Sequence, residues 1–153
     1  MNRDFSDMLS ALSAEAAEFL VVGAHALAAH GHPRATGDLD IWVRPTADNA
    51  ARVWRALARF GAPVQGLSLA DLSTPDVVFQ IGIPPNRIDV LTSIDGVEFD
   101  VAWRNRRPVT VSGSTFAVLG RQELLANKRS TGRAKDLADV QALEADGDRP
   151  RES

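Results

Sequence analysis

The stretch that most narrows the possible folds is Glu18 to Val43, "EFLVVGAHALAAHGHPRATGDLDIWV". Glu18 to Gly23 reads as a short buried strand ending at a glycine. The Ala-rich run after it has helical character and stops at Gly31, because glycine enters the left-handed conformation that closes a helix. "LDIWV", Leu39 to Val43, is a second strand. A strand, a short helix and a strand in so little chain demand a sheet with helices lying against it. The second strand also carries an anomaly. Strand side chains alternate, so Asp38 and Asp40 share one face while Leu39 and Ile41 point to the other, into the core. Buried carboxylates are costly unless paired, hydrogen-bonded or bound to metal. A shared proton would raise one pKa strongly. A divalent cation is the other solution, and an all-oxygen donor set suits Mg²⁺ or Mn²⁺.

The rest of the chain supplies the covering layers. "FSDMLSALSAEA" places Phe5, Met8, Leu9 and Leu12 at helical spacing. "TADNAARVWRALARFG" predicts a helix capped by Thr46 or Asp48, with Val53, Leu57 and Phe60 on its apolar face and Gly61 at its end. "GLSLADLST" reads as a loop with a helical turn. "DVVFQIG" and "RIDVLTS" are strands, parted by "IPPN", whose adjacent prolines forbid a continuous central strand. "VEFDVAW" and "RPVTVSG" predict a further strand pair, with "STFAVLG" a last short extended piece. "RQELLANKRS" and "RAKDLADVQALEA" are two helices broken at Thr131-Gly132. The order predicts a single α/β (α+β) domain over residues 1–146, a mixed sheet flanked by helices with helices at its C-terminal end. Residues 147–153 are a polar tail expected to be disordered.

A chain of 153 residues with 44% hydrophobic and 24% charged residues can bury a core without staples. The absence of cysteine excludes disulfides and thiolate metal sites. No apolar run approaches the ~20 residues that span a bilayer. "MNRDFSDML" is too acidic for a signal peptide, so the expected location is the cytoplasm. The net charge of -3 argues against a general nucleic-acid binder. Its distribution is uneven, however: Arg104 to Lys135 carries +7 and the remainder -10. A phosphate-bearing ligand could bridge two such halves, although a solvated basic surface explains the segment equally well.

"RIDVL" offers a third acid, Asp89, again projecting from an apolar strand. Three aspartates on neighbouring strands can bind metal, clamp a triphosphate and lower the pKa of an attacking hydroxyl. Upstream, Gly23 lets the backbone approach a phosphate, and N–H groups at a helix start attract anions.

These residues resemble the signature of the DNA polymerase β-like nucleotidyltransferase superfamily: a glycine-led turn, a helix, an aspartate pair on a strand, and a third acid on a later strand. Gly23, Asp38, Asp40 and Asp89 occupy the matching positions. Arg34 and Thr36 resemble a variant in small bacterial nucleotidyltransferases, including the abortive-infection type toxins. "LLANKRSTGRAKDLADVQAL" is similar to their later motifs through Lys128, Arg133 and Asp136. The resemblance implies a Mg²⁺-dependent (or Mn²⁺-dependent) enzyme that moves a nucleoside monophosphate from an NTP to a hydroxyl, releasing pyrophosphate. Asp38, Asp40 and Asp89 would bind metal and carry catalysis. Gly23, Ala24, Arg34, Thr36, Lys128, Arg133 and Asp136 would serve the nucleotide. The acceptor (RNA, protein or a small molecule) stays open, as does a cognate antitoxin. The family usually has Gly-Ser or Gly-Gly where this chain has Gly23-Ala24. That departure keeps a second reading alive, a non-catalytic nucleotide-binding or toxin–antitoxin module.

His25, His30 and His32 could suggest a metal phosphohydrolase, but their spacing favours structural roles. Trp103, beside Arg104 and Arg106, is the tryptophan with some prospect of stacking on a nucleobase.

Overall fold

The computed structural model describes residues 2–33 and 38–147. Arg34 and Thr36 lie outside them, as does the expected tail from residue 148 onward. Helix α1 (Arg3–Ala14) leads into β1 (Phe19–Val22), α2 (Gly23–Ala29) and β2 (Leu39–Val43). Next come α3 (Ala47–Phe60), a 3-10 turn at Val64–Gly66, and α4 (Leu69–Leu72). Strands β3 (Val78–Ile81) and β4 (Ile88–Leu91) precede α5 (Phe99–Arg104), and β5 (Arg107–Val111) and β6 (Ser114–Val118) precede α6 (Arg121–Thr131) and α7 (Ala134–Gly147).

The strands form one mixed sheet in the order β3-β4-β2-β1-β6-β5. Strands β1 and β2 are antiparallel, as are β3 with β4 and β5 with β6, while β2 runs parallel to β4 and β1 to β6. β1 lies inside the sheet and is buried along its whole length, as its unbroken apolar run requires. Helix α3 shows how the covering layer is made. Thr46 accepts from the Asn49 N–H at its start, Ala50, Val53, Ala56 and Leu57 turn one stripe inward, and Gly61 closes it at φ 95°. Val53 and Leu57 are fully buried, a burial of about 1.5–3 kcal/mol each. The buried Asn49 side chain accepts from Glu18 N at 2.7 Å and donates to the Glu18 and Arg44 carbonyls at 3.0 Å. It thereby ties the start of β1 to the end of β2. No helix among the described residues is long and apolar enough to cross a membrane.

Two sequence expectations change here. "VEFDVAW" is not a strand: Phe99–Arg104 is helix α5, and the partner of β5 is β6. The segment alternates, yet Phe99, Ala102 and Trp103 also share a helical stripe. Phe99 and Ala102 are buried, and Phe99 packs edge-on against Trp42 at 4.9 Å. Gly23 also begins the helix rather than ending the strand, so α2 is shifted one residue toward the N-terminus of its Ala-rich run.

Candidate active site

Strands β2 and β4 place Leu39 beside Ile88 and Asp40 beside Asp89. Because both strands alternate, Leu39 and Ile88 enter the core, and Asp40 and Asp89 share the opposite face. On the other flank of β2, Val22 pairs with Asp40, which brings the next residue, Gly23, against the same carboxylate. Gly23 has φ +66°, and a Cβ at that position would lie 2.3 Å from Asp40 Oδ2. Glycine is therefore required twice, once by the backbone conformation and once by the packing.

The carboxylates are not alone. Arg87, two residues before Asp89, points to the same face of β4. Its Nη2 lies 2.9 Å from Asp38 Oδ2 and donates to Asp89 Oδ2 at 3.2 Å. Its Nε stands 2.9 Å from Asp89 Oδ1, but the pair is not aligned as a hydrogen bond. Among the described residues Arg87 pairs with Asp38 and Asp89, and Asp40 lies beside them. Its pKa is raised to about 6 by burial first, then by the charges of Asp89 and Asp38 and a carboxyl–carboxyl hydrogen bond with Asp89, against a small opposing effect of Arg87. One remedy for crowded carboxylates is present in the structure, a resident cation at Asp38 and Asp89, and the raised pKa of Asp40 favours the other. Among the described residues no three acidic or histidine side chains stand as a preformed metal cage. Here the arginine holds Asp38 and Asp89 together.

These observations fit a divalent cation. The donors are hard carboxylate oxygens, Asp38 and Asp89 help to raise the pKa of Asp40, and Gly23 leaves a cradle against Asp40 that a side chain would fill.

Lys128, Arg133 and Asp136 come together in a second group. Lys128 Nζ lies 2.8 Å from Asp139 Oδ2 and 3.3 Å from Asp136 Oδ1, all three residues being buried. Thr131 and Arg133 Nε donate to Asp136 Oδ2 at 2.6 and 2.8 Å. This polar joint fastens α6 to α7 across the turn at Gly132, which has φ 67°. Lys128, Asp136 and Asp139 form its buried part, and the exposed Arg133 adds a local i,i+3 ion pair at its edge.

The histidines diverge. His30 Nε2 meets the Leu119 carbonyl at 2.8 Å while Arg107 lies 3.1 Å from its Nδ1, so this ring ties α2 to the end of β6. His32 pairs with Asp146. His25 stands edge-on to Phe5 at 5.5 Å and borders an apolar cavity of about 310 Å³ with Ala28, Val109 and Phe116. Burial lowers the pKa of His25 and of His30. Trp103 offers no stacking platform, since Phe99 covers one face of its ring at 5.8 Å and the Arg106 guanidinium lies 4.0 Å from its centroid.

No family model matches the sequence, and no curated protein matches it. A solved structure does match the fold. A Thermotoga maritima protein, provisionally named a nucleotidyltransferase, aligns with a TM-score of 0.58 and 18% identity. The alignment covers 94% of this chain and 89% of that one. The fold is nucleotidyltransferase-like. In this nucleotidyltransferase-like sheet, Arg87 is the member of the acid cluster that sequence reading missed. A signal for it was present: the alternation Arg87-Ile88-Asp89 mirrors Asp38-Leu39-Asp40, so a parallel register that pairs Asp40 with Asp89 also sets Arg87 opposite Asp38.

Proposed function

We propose that the chain is a Mg²⁺-dependent nucleotidyltransferase that transfers a nucleoside monophosphate from an NTP to a hydroxyl of RNA, protein or a small molecule. The observation that carries the reading is the convergence of Asp38, Asp40, Asp89 and Gly23 on one patch of a nucleotidyltransferase-like sheet.

On this reading Asp38, Asp40 and Asp89 hold the cation. When bound, it neutralises triphosphate charge and lowers the pKa of the attacking hydroxyl. The chain's own part is placement and charge. Asp40, ionised above its pKa of about 6, would serve as a ligand, and Asp89 beside it would complete the set and orient the acceptor hydroxyl. The Gly23–Ala24 turn offers backbone N–H groups to phosphate. It does so without much help from a macrodipole, since α2 has only 7 residues. Arg34 and Thr36 would serve the nucleotide phosphates, as the sequence resemblance implies. Lys128, Arg133 and Asp136 act through the joint that places α6 against α7. Such a site works by positioning and preorganised charge.

The test is NTP binding with and without Mg²⁺ for wild type, Asp38→Ala and Asp40→Ala, followed by transfer of label from NTP to cell RNA or protein. Metal-dependent binding lost in both variants supports the site; binding indifferent to metal and to both changes rejects it. Ala24 in place of the usual Ser or Gly favours one other reading, a nucleotide-binding module without turnover, of the kind that pairs with an antitoxin. Label transfer that needs Asp89 eliminates it.

A further inference from the structure

Arg87 is the one basic side chain within reach of both Asp38 and Asp89 in the described contacts, and it spans them. Its Nη2 serves both carboxylates, at 2.9 and 3.2 Å, and its Nε sits 2.9 Å from Asp89 Oδ1 without hydrogen-bond alignment. A guanidinium usually meets one carboxylate through two parallel N–H···O bonds. Here both arms face Asp89, but Nε is misaligned and Nη2 is shared with Asp38, so each acid is held by contacts short of the best geometry. The side chain is 29% exposed, which leaves it a path out toward solvent. A divalent cation needs the same oxygens that Arg87 now holds.

We propose that Arg87 is a positioning residue that keeps the acid cluster assembled without metal and competes with the divalent cation for Asp38 and Asp89. The idea rests on the cation-binding reading above and goes beyond it. Cation affinity is set by an exchange of one positive group for another, not by filling a waiting cage. The released guanidinium then stands next to the cation site, where an NTP phosphate provides its next partner. Metal and nucleotide binding are thereby coupled through one side chain, and coupling of this kind is reciprocal.

The experiment is Mn²⁺ binding to the full chain, read by electron paramagnetic resonance of the free ion, for wild type, Arg87→Gln, Arg87→Lys and Asp40→Asn. Competition predicts that Arg87→Gln binds Mn²⁺ roughly tenfold more tightly, as loss of a charge contact at this range implies. Arg87→Lys keeps the charge but cannot span two carboxylates. It should bind tighter than wild type by about threefold, a gain that a through-space charge effect alone does not give. A second readout guards against misfolding. In chelator the Arg87→Gln unfolding midpoint should fall below wild type, and saturating Mn²⁺ should close the gap. If Arg87→Gln binds Mn²⁺ no better than wild type while Asp40→Asn abolishes binding, competition is overturned and the cation site survives. If Mn²⁺ binding ignores Asp40 in every background, both ideas fall together.

Discussion

Asp40 and Asp136 are the same side chain placed in two networks, and they respond in opposite directions. Asp136 is the more buried, and burial alone would raise its pKa. Thr131, Arg133 and Lys128 reverse that and hold it below the ordinary carboxylate range. Asp40 keeps some access to solvent, yet its pKa rises to about 6. Burial pushes both upward, and the difference lies in the neighbours: acids beside Asp40, bases and a hydroxyl beside Asp136. Around Asp136, two acids face two bases and a hydroxyl. Around Asp40 stand two further acids, Asp38 and Asp89, and among the described residues Arg87 pairs with those two. A satisfied network is a fastener. An unsatisfied one persists at a cost to stability, and such costs concentrate where a ligand completes the set.

The sharpest way to break this contrast is to remove the cation from the satisfied side. Lys128→Met should cost about 3–5 kcal/mol, because Asp136 and Asp139 would remain buried without their shared base. Urea unfolding measures it. A loss below about 1 kcal/mol would mean that the joint is not a structural fastener, and Lys128 would become available to a phosphate instead.

The unsatisfied side predicts the reverse sign. With a folded pKa of about 6 against an ordinary 3.8, the fold favours protonated Asp40. That contribution is complete below about pH 4 and disappears as pH rises through about 6, amounting to about 3 kcal/mol at most. Asp136 behaves oppositely: its contribution is present at neutral pH and is lost as pH falls through its lowered pKa. Asp40→Asn should therefore raise metal-free stability at pH 8 by about 1–3 kcal/mol and flatten the profile above pH 4. It should also abolish Mg²⁺-dependent NTP binding. Chemical denaturation across pH tests the first expectation and NTP titration the second. A destabilised Asp40→Asn would show that the carboxylate is satisfied as it stands.

How much of this was legible follows from the range of the interactions involved. The unit from Phe19 to Val43 could be read because its pattern changes from strand to helix and back over a few residues, each change marked by glycine or by the aspartates. α5 could not, because "VEFDVAW" satisfies both periodicities and only the packing of Phe99 on Trp42 decides between them. The three acids were legible as residue types on strands. Their shared face needed the parallel register of β2 with β4, which no local pattern states. Arg87 lies at the boundary: its side of the strand was readable from alternation, its role only from that register. Lys128 and Asp136 were legible as a motif, but their burial depends on how α6 meets α7.

A smaller effect comes from the turn that touches the unsatisfied cluster. Gly23→Ala adds a Cβ that meets Asp40 Oδ2 at 2.3 Å and strains a residue at φ +66°. A cost of about 1–2 kcal/mol is expected. NTP binding should weaken with it, since relief of the clash displaces a proposed ligand. Thermal unfolding and NTP titration on one preparation give both numbers. A variant that loses stability while holding its nucleotide affinity would separate the turn from the site.

The smallest change addresses the departure of this chain from the sequence pattern that it resembles. Ala24 follows Gly23 in the first turn of α2 and is only partly buried, so a hydroxyl there can reach a bound group. If the turn lies on the triphosphate, Ala24→Ser adds one hydrogen bond to a charged oxygen, with a net value of about 1 kcal/mol after water is displaced. Nucleotide should then bind about fivefold more tightly. The gain should appear with Mg²⁺ and vanish in Asp40→Asn, because phosphate reaches the turn only when the acids are neutralised. Stability without ligand should fall by no more than about 0.5 kcal/mol, the propensity difference between alanine and serine within a helix. An affinity that stays fixed while Asp40→Asn still abolishes binding would place the phosphates away from Gly23. The acid cluster would then hold its cation without help from the turn pressed against it, and the glycine would be required by packing alone.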